Sequence, residues 1–180
     1  RHSVTVFEGQ NKIGGYLRYG IPDFKLDKSF IDRRLEVLKA EGIEFKTNTY
    51  VGKDIDAKKI KADFDAVLIT IGAREARDLK VEGRELKGIH QSLDFLTQQN
   101  RSCGGDLFCG EEMIAAIRKN VVVIGGGDTG SDCVGTSNRQ GASKVTQLEV
   151  LPMPASHRTA AEPWPLWPKL HKTSSSHEEG

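Results

Sequence analysis

The clearest hydrophobic pattern of the chain is an apolar run, a polar helical segment and a second apolar run. Val121 to Ile124 are consecutive β-branched residues, as a parallel strand buried on both faces requires. Asp128 to Gln140 can form a helix that ends at Gly141, and Lys144 to Leu151 form the second apolar segment. The pattern predicts a complete strand–helix–strand unit.

A similar alternation occupies the first part of the chain. It predicts a strand at Val4 to Phe7 and a helix with apolar positions at helical spacing from Ile31 to Leu38. Gly42 ends this helix before a strand at Ile43 to Thr47. Ala66 to Ile71 read as a buried strand. Alternating strands and helices predict an α/β fold with parallel sheets.

Three glycines separate the first strand from the helix of the later unit. Gly125, Gly127 and Gly130 have the G-x-G-x-x-G spacing of a dinucleotide-binding turn. In such a turn the second glycine lets the backbone approach a pyrophosphate, and the third lets the helix pack on the strand. The helix N-terminus presents free N–H groups to the phosphates. The alternative is a glycine-rich turn that binds no nucleotide.

The choice of nucleotide depends on residues beyond the second strand. An acidic residue there binds the ribose of NAD, whereas an arginine holds the 2′-phosphate of NADP. Glu149 is near the acidic position, but a strand that runs to Leu151 would enclose it. Arg158 follows the strand, so we expect NADP with Arg158 as the phosphate partner. Two alternatives stay open: Arg158 is an ordinary loop charge, or Glu149 binds ribose and the nucleotide is NADH.

A second nucleotide site is indicated near the start of the chain. Glu8 follows the strand at Val4 to Phe7, which is where the acid that binds ribose belongs. The glycine turn of that site would lie about twenty residues upstream, yet the sequence starts at Arg1. We therefore expect an internal fragment that begins inside a nucleotide-binding domain. Alternatively, Glu8 is only a polar strand end.

The apolar run at Ala66 to Ile71 ends in small residues. Ligands of open α/β sheets bind at the carboxyl ends of strands, so Thr70, Gly72 and Ala73 are candidates for one wall of the first site. A plain turn after a core strand is the alternative.

Composition excludes several classes of partner. The net charge of +1 gives no electrostatic case for nucleic acid or an anionic membrane, and no apolar run is long enough to span a bilayer. Cys103, Cys109 and Cys133 form neither a disulfide framework nor a C-x-x-C pair, and we expect none of them to bind metal. The expected location is the cytoplasm.

Several motifs give a more specific indication. The chain contains GGYLRYGIPDFKLDK, VVVIGGGDTGSDCVGTSNRQGA, PWPLWP and TSSSHEEG. Together they resemble the small (beta) subunits of bacterial NADPH-dependent glutamate synthases, and more distantly the flavin part of dihydropyrimidine dehydrogenase and adrenodoxin reductase. The resemblance implies Rossmann-like domains, with an NADPH domain inserted in an FAD domain. Residues 1–98 would be a partial FAD domain and residues 99–180 an NADPH domain.

The resemblance also implies roles for individual residues. Glu8 would bind the FAD ribose, and Tyr16 stands where the family has leucine. Lys25 would be a basic residue near FAD, and the backbone of Val51 would contact adenine. The remaining contacts would be Gly14, Gly15 and Tyr16 for FAD, and Gly126, Gly127, Asp128, Thr129 and Arg158 for NADPH.

The implied chemistry is hydride transfer from NADPH to FAD, which requires orientation of the cofactors and no acid–base pair. Electrons would leave through iron–sulfur clusters outside this chain to a large (alpha) subunit that makes glutamate from glutamine and 2-oxoglutarate. The fragment alone is expected to be inactive. Three alternatives stay open: another NAD(P)H-dependent FAD oxidoreductase, a non-catalytic NADP-binding module, or a flavin disulfide reductase, which would need a close cysteine pair.

Overall fold

A computed structural model describes residues 2–73, 75–106, 113–171 and 173–179. The chain forms two compact units, Arg1–Gln91 and Ser92–Gly180, which are described separately below. The predicted boundary between residues 98 and 99 falls inside the first helix of the second unit. Which cofactor each part binds stays a prediction.

The described residues of the first unit form a parallel pair of strands and three helices. The pair joins Thr5 to Glu44, Val6 to Phe45 and Phe7 to Lys46, so both early strands predicted from the sequence are confirmed. Gly42 adopts a φ of 94° after the second helix, which is the left-handed turn that favours glycine. The elements are β1 (Thr5–Phe7), α1 (Gly15–Tyr19), α2 (Ser29–Ala40), β2 (Glu44–Lys46) and α3 (Ala57–Asp63).

The predicted buried strand at Ala66 to Ile71 is wrong. These residues have no strand assignment, and Leu68, Ile69 and Ile71 are 87%, 75% and 76% exposed. A strand needs a neighbour for its backbone N–H and C=O groups. Among the described residues of this unit, the sheet consists of β1 and β2 alone. The segment is apolar, but no described element covers it.

The second unit contains the strand–helix–strand unit predicted from the sequence. Its strands are parallel and in register from Asn120 opposite Lys144 to Ile124 opposite Leu148. Gly141 follows the central helix with a φ of 80°, as expected of a glycine that ends a helix. The elements are α4 (Ser92–Cys103), β3 (Asn120–Ile124), α5 (Asp128–Arg139), β4 (Lys144–Leu148) and α6 (Ser175–Glu178).

The core of this unit lies between the strands, α4 and α5. It is formed by Phe95, Leu96, Val123, Cys133 and Val134. Burial of β3 on both faces was predicted, and this is wrong. Successive side chains of a strand point to opposite faces; Val123 is buried, whereas the alternate residues Val122 and Ile124 are 60% and 69% exposed.

The second strand also ends earlier than predicted, at Leu148 rather than Leu151. The Glu149 side chain accepts a hydrogen bond from the Leu151 backbone N–H at 2.9 Å. This local bond competes with strand pairing, so the chain turns away from the sheet after Leu148. No helix in the described parts of the chain is long and apolar enough to cross a membrane.

Candidate dinucleotide-binding site

The glycine turn lies between the carboxyl end of β3 and the N-terminus of α5. Gly125 has a φ of 120°, a conformation that other residues rarely adopt. Gly127 precedes the helix in an extended conformation, and Asp128 is in its first turn. Gly126, Gly127, Asp128 and Thr129 are all exposed. The turn is therefore open to solvent, and the N–H groups of the first helical turn are available to an anion.

The third glycine is required by packing. A Cβ at Gly130 would lie 2.2 Å from the Gly125 carbonyl oxygen and 2.8 Å from Gln147 Nε2. Because the first of these is a backbone atom, alanine would force α5 away from β3. A Cβ at Gly127 would meet no atom within 4 Å. The fold thus needs a glycine at position 130 but not at position 127.

Glu149 contacts the turn directly. Its carboxylate accepts hydrogen bonds from the backbone N–H groups of Gly126, at 2.7 Å, and Leu151, at 2.9 Å. The bonds from Leu151, Gly126 and Val150, in that order of size, lower the pKa of Glu149. The side chain is therefore an ionised carboxylate just beyond the carboxyl end of β4. Sequence reasoning placed Glu149 inside the strand, and that placement is wrong.

Arg158 lies in the exposed segment that follows β4. Its Nη1 donates to the carbonyl oxygens of Glu162, at 2.7 Å, and Leu166, at 2.8 Å. Both hydrogen bonds are with the segment's own backbone. In this structure Glu149 hydrogen-bonds to the glycine turn, whereas Arg158 bonds to carbonyl groups of its own segment. The role of Arg158 toward a 2′-phosphate stays a prediction.

In the first unit, Glu8 lies at the carboxyl end of β1. Its backbone N–H donates to the Lys46 carbonyl at 2.9 Å, and its side chain accepts from the Gln10 backbone N–H at 2.9 Å. The residue is half-buried. This is the strand end where the sequence predicts a ribose-binding acid, and that function stays a prediction.

The loop before α1 has the backbone that its glycines predict. Gly14 and Gly15 have φ values of 134° and 50°, and a Cβ at Gly14 would lie 3.0 Å from Arg18 Cβ. The Tyr16 hydroxyl donates to the Ala73 carbonyl at 2.5 Å. The fold therefore brings together two candidate residues that are 57 positions apart.

The other candidates of this unit lie on its surface. Lys25 is exposed, and Val51 forms an isolated bridge with Ile55. Thr70 and Gly72 are in the exposed segment that follows α3. Their cofactor roles stay predictions.

Sequence reasoning missed three residues that support the candidate sites. Arg18 is buried; its Nε donates to the Ile13 carbonyl at 2.6 Å and its Nη2 pairs with Asp32, so it supports the loop before α1. Gln147 and His177 form a hydrogen-bonded chain with the glycine turn. The TSSSHEEG motif that contains His177 was noticed, but nothing in the sequence linked it to the turn.

The described cysteines are a buried and an exposed thiol. Cys133 lies in the core, and burial followed by the nearby charge of Asp132 raises its pKa to about 12. Cys103 is exposed, and Cys109 lies outside the described residues. Within the described ranges, no three His, Cys, Asp or Glu side chains form a group that could hold a metal ion.

A parallel strand, a glycine turn and a helix that packs through a glycine define the class of α/β proteins with Rossmann-like domains. Residues 25–164 match the family model described as pyridine nucleotide-disulphide oxidoreductase. The chain belongs to this family. The prediction of an α/β fold with parallel sheets is therefore confirmed, and the family that contains the chain is one of oxidoreductases.

Individual relatives confirm the resemblance. The chain is 50% identical over 182 aligned positions to the glutamate synthase [NADPH] small chain of Mycobacterium tuberculosis, covering 99% of this chain and 37% of that protein. It is 44% identical to the glutamate synthase [NADH] of Saccharomyces cerevisiae, covering 99% of this chain and 8% of that protein. The chain thus spans about a third of the length of the bacterial relative.

A solved structure has the same fold. Mycobacterium tuberculosis FprA in complex with NADPH superposes with a TM-score of 0.64 and 20% sequence identity, over 81% of this chain and 36% of that one.

Proposed function

We propose that the chain is part of the NADPH-oxidising, FAD-containing small subunit of a glutamate synthase. The observation that carries this proposal is the exposed turn from Gly125 to Gly130, in which the third glycine packs against the first while the second faces open space. The 50% identity to a glutamate synthase [NADPH] small chain supports the choice of enzyme.

In this proposal NADPH binds at the glycine turn of the second unit. Gly126, Gly127, Asp128 and Thr129 face the pyrophosphate, where the N-terminus of α5 attracts negative charge. Arg158 holds the 2′-phosphate. Glu149 fixes the turn through the Gly126 N–H.

FAD binds along the first unit, with Glu8 at its ribose. The Tyr16–Ala73 hydrogen bond supports a shared site for the two segments that carry the remaining candidates. These candidates are Gly14, Gly15, Tyr16, Lys25, Val51, Thr70, Gly72 and Ala73.

The bound cofactors supply the hydride chemistry, so the chain's own residues bind and orient them and exclude water. Iron–sulfur clusters outside this chain and the large subunit would then accept the electrons, and glutamate would be made from glutamine and 2-oxoglutarate. We retain the cytoplasmic location expected from the sequence as part of the proposal.

The test compares Gly127→Ala with Gly130→Ala in the complete protein. Alanine at position 127 meets no atom and suits the local φ of −80°, so the thermal midpoint and the flavin absorbance should stay as in the wild type. Because the added methyl group would lie against the pyrophosphate, we expect the Kd for NADPH to rise about tenfold or more. Calorimetric titration measures the Kd.

The matched variant is Gly130→Ala, whose expected effect on the thermal midpoint differs from that of Gly127→Ala. Gly130→Ala should lower the thermal midpoint, because its Cβ would overlap the Gly125 carbonyl. Unchanged NADPH affinity in Gly127→Ala would refute binding at this turn. A complete protein that binds NADPH but has no flavin absorbance would instead be a non-catalytic module.

A second candidate is the same reaction with NADH. The contact between Glu149 and the glycine turn favours it, because an acidic residue at this position binds the ribose of NAD. The similarity to a glutamate synthase [NADH] also favours it.

A further inference from the structure

A chain of hydrogen bonds connects the glycine turn to the C-terminal helix α6. Gln147 Nε2 donates to the Gly125 carbonyl at 2.7 Å, and Gln147 Oε1 lies 2.7 Å from His177 Nε2. His177 Nδ1 lies 3.1 Å from the Ser174 backbone nitrogen and 2.9 Å from its hydroxyl. The relay, defined as Gly125, Gln147, His177 and Ser174, joins three parts of the second unit: the glycine turn, β4, and α6 with its N-cap.

The groups at the two ends of the relay, the Gly125 carbonyl and the Ser174 backbone N–H, determine how Gln147 is oriented and which nitrogen of His177 carries the proton. The Gly125 carbonyl can only accept, so the Gln147 amide must turn its NH₂ group toward it and its oxygen toward His177. The Ser174 backbone N–H can only donate, so His177 Nδ1 must be unprotonated. The relay therefore assigns His177 as the neutral imidazole with its proton on Nε2, which donates to Gln147.

The relay acts on the peptide group of Gly125. Glycine has access to more backbone conformations than any other residue, and Gly125 sits at a φ of 120°. Its N–H donates to the Leu148 carbonyl at 2.8 Å, and its C=O accepts from Gln147. The same carbonyl oxygen faces Gly130 at the start of α5. The direction of this carbonyl therefore determines how the turn enters the helix.

The segment that carries His177 is packed firmly on α5. The hydroxyls of Ser131 and Ser174 are 2.5 Å apart, and Arg139 Nη2 donates to Glu179 at 2.8 Å. Ser176 is fully buried. These contacts hold His177 at a fixed distance from Gln147, as a positioning residue requires.

We propose that His177 is a positioning residue for the nucleotide-binding turn. It orients Gln147, whose amide holds the Gly125 carbonyl and thereby aims the N–H groups of the turn at the nucleotide pyrophosphate. This inference rests on the proposed binding of a dinucleotide at the turn. The TSSSHEEG motif would then serve the nucleotide site.

Two substitutions at His177 separate this role from a purely structural one. In His177→Gln the side-chain NH₂ can occupy the position of Nε2 and donate to Gln147, but the bond to Ser174 is lost. In His177→Asn the side-chain oxygen can occupy the position of Nδ1 and accept from Ser174, but the bond to Gln147 is lost. Each variant keeps one half of the relay.

In the complete enzyme we expect His177→Asn to raise the KM for NADPH about tenfold, with kcat and the thermal midpoint close to the wild type. His177→Gln should keep the wild-type KM and lose thermal stability. Gln147→Leu should raise the KM like His177→Asn, and the double variant should add nothing further, because both changes break one connection. A wild-type KM in His177→Asn, with a raised KM in His177→Gln, would overturn the proposal.

A measurement without nucleotide distinguishes failure of this inference from failure of the proposed function. The amide resonances of Gly125, Gly126 and Gly127 in glycine-labelled protein should shift in His177→Asn and stay in place in His177→Gln. Unshifted resonances in His177→Asn refute the positioning role, whatever the nucleotide affinity. If they shift but Gly127→Ala binds NADPH as the wild type does, the positioning stands and the proposed nucleotide site fails.

Discussion

At the scale of single residues, the choice between NADH and NADPH depends on Glu149 and Arg158. Glu149 is an ionised carboxylate held against the glycine turn by the Gly126 N–H. Arg158 is held by two carbonyl groups of its own segment. A carboxylate suits the ribose hydroxyls of NADH, whereas a guanidinium suits the 2′-phosphate of NADPH.

We expect Arg158→Ala to raise the Kd for NADPH by about ten- to hundredfold and to leave the Kd for NADH unchanged. The reason is the loss of a charge-assisted hydrogen bond worth about 1.5–3 kcal/mol. Glu149→Ala should leave the preference between the nucleotides unchanged. Titration of both nucleotides against the wild type and the two variants measures this. A wild-type preference for NADH, weakened in Glu149→Ala, would reverse the assignment.

At the scale of elements, α5 connects the site to the core. Its N-terminus faces the glycine turn, and its inner face buries Cys133 and Val134 against β3 and α4. Cys133 therefore behaves as a small apolar side chain, and burial raises its pKa from 9.0 to about 12. In the unfolded chain the thiol regains its ordinary pKa.

This shift predicts a pH dependence of stability. A pKa raised in the folded state contributes stability that is fully present below pH 9.0 and is lost as the pH rises toward 12. The stability difference between the wild type and Cys133→Ala should therefore shrink above pH 9.0, by at most about 1.4 kcal/mol per pH unit. Urea unfolding at neutral and alkaline pH measures it. Cys103→Ala is the matched control because that thiol is exposed, and a constant difference for Cys133→Ala would contradict the prediction.

At the scale of the whole molecule, the chain exposes apolar surface that its sequence marks as core. Leu68, Ile69 and Ile71 are at least three-quarters exposed, and Val122 and Ile124 lie on an uncovered face of the second sheet. Exposed apolar segments of this kind favour association. Each of these two groups of residues is therefore a candidate contact surface.

We expect the 180-residue chain alone to self-associate as its concentration rises, and the double variant Leu68→Asp/Ile71→Asp to reduce this association. Charged side chains make the burial of that surface unfavourable. Sedimentation velocity at several concentrations measures the distribution of species. Lys80→Asp, a change in the exposed segment without loss of apolar surface, is the control. A wild-type chain that stays monomeric would argue against the prediction.

The sequence by itself determined the elements whose signals are local. The β-branched run at β3, the glycine spacing and Gly141 all follow from the conformational preferences of a few neighbouring residues, and the structure has each of them in place. The resemblance to glutamate synthase small subunits also lay in contiguous motifs, and relatives at 50% and 44% identity confirm it.

Only the tertiary structure decided which side chains meet. The hydrophobic run from Ala66 to Ile71 favours burial, but pairing with another strand depends on distant segments. The Glu149 carboxylate reaches back 23 residues to the Gly126 N–H. The contact between Gln147 and His177 joins residues 30 positions apart. Such contacts leave no local periodicity, because their free energy is gained only when the chain has brought the partners together.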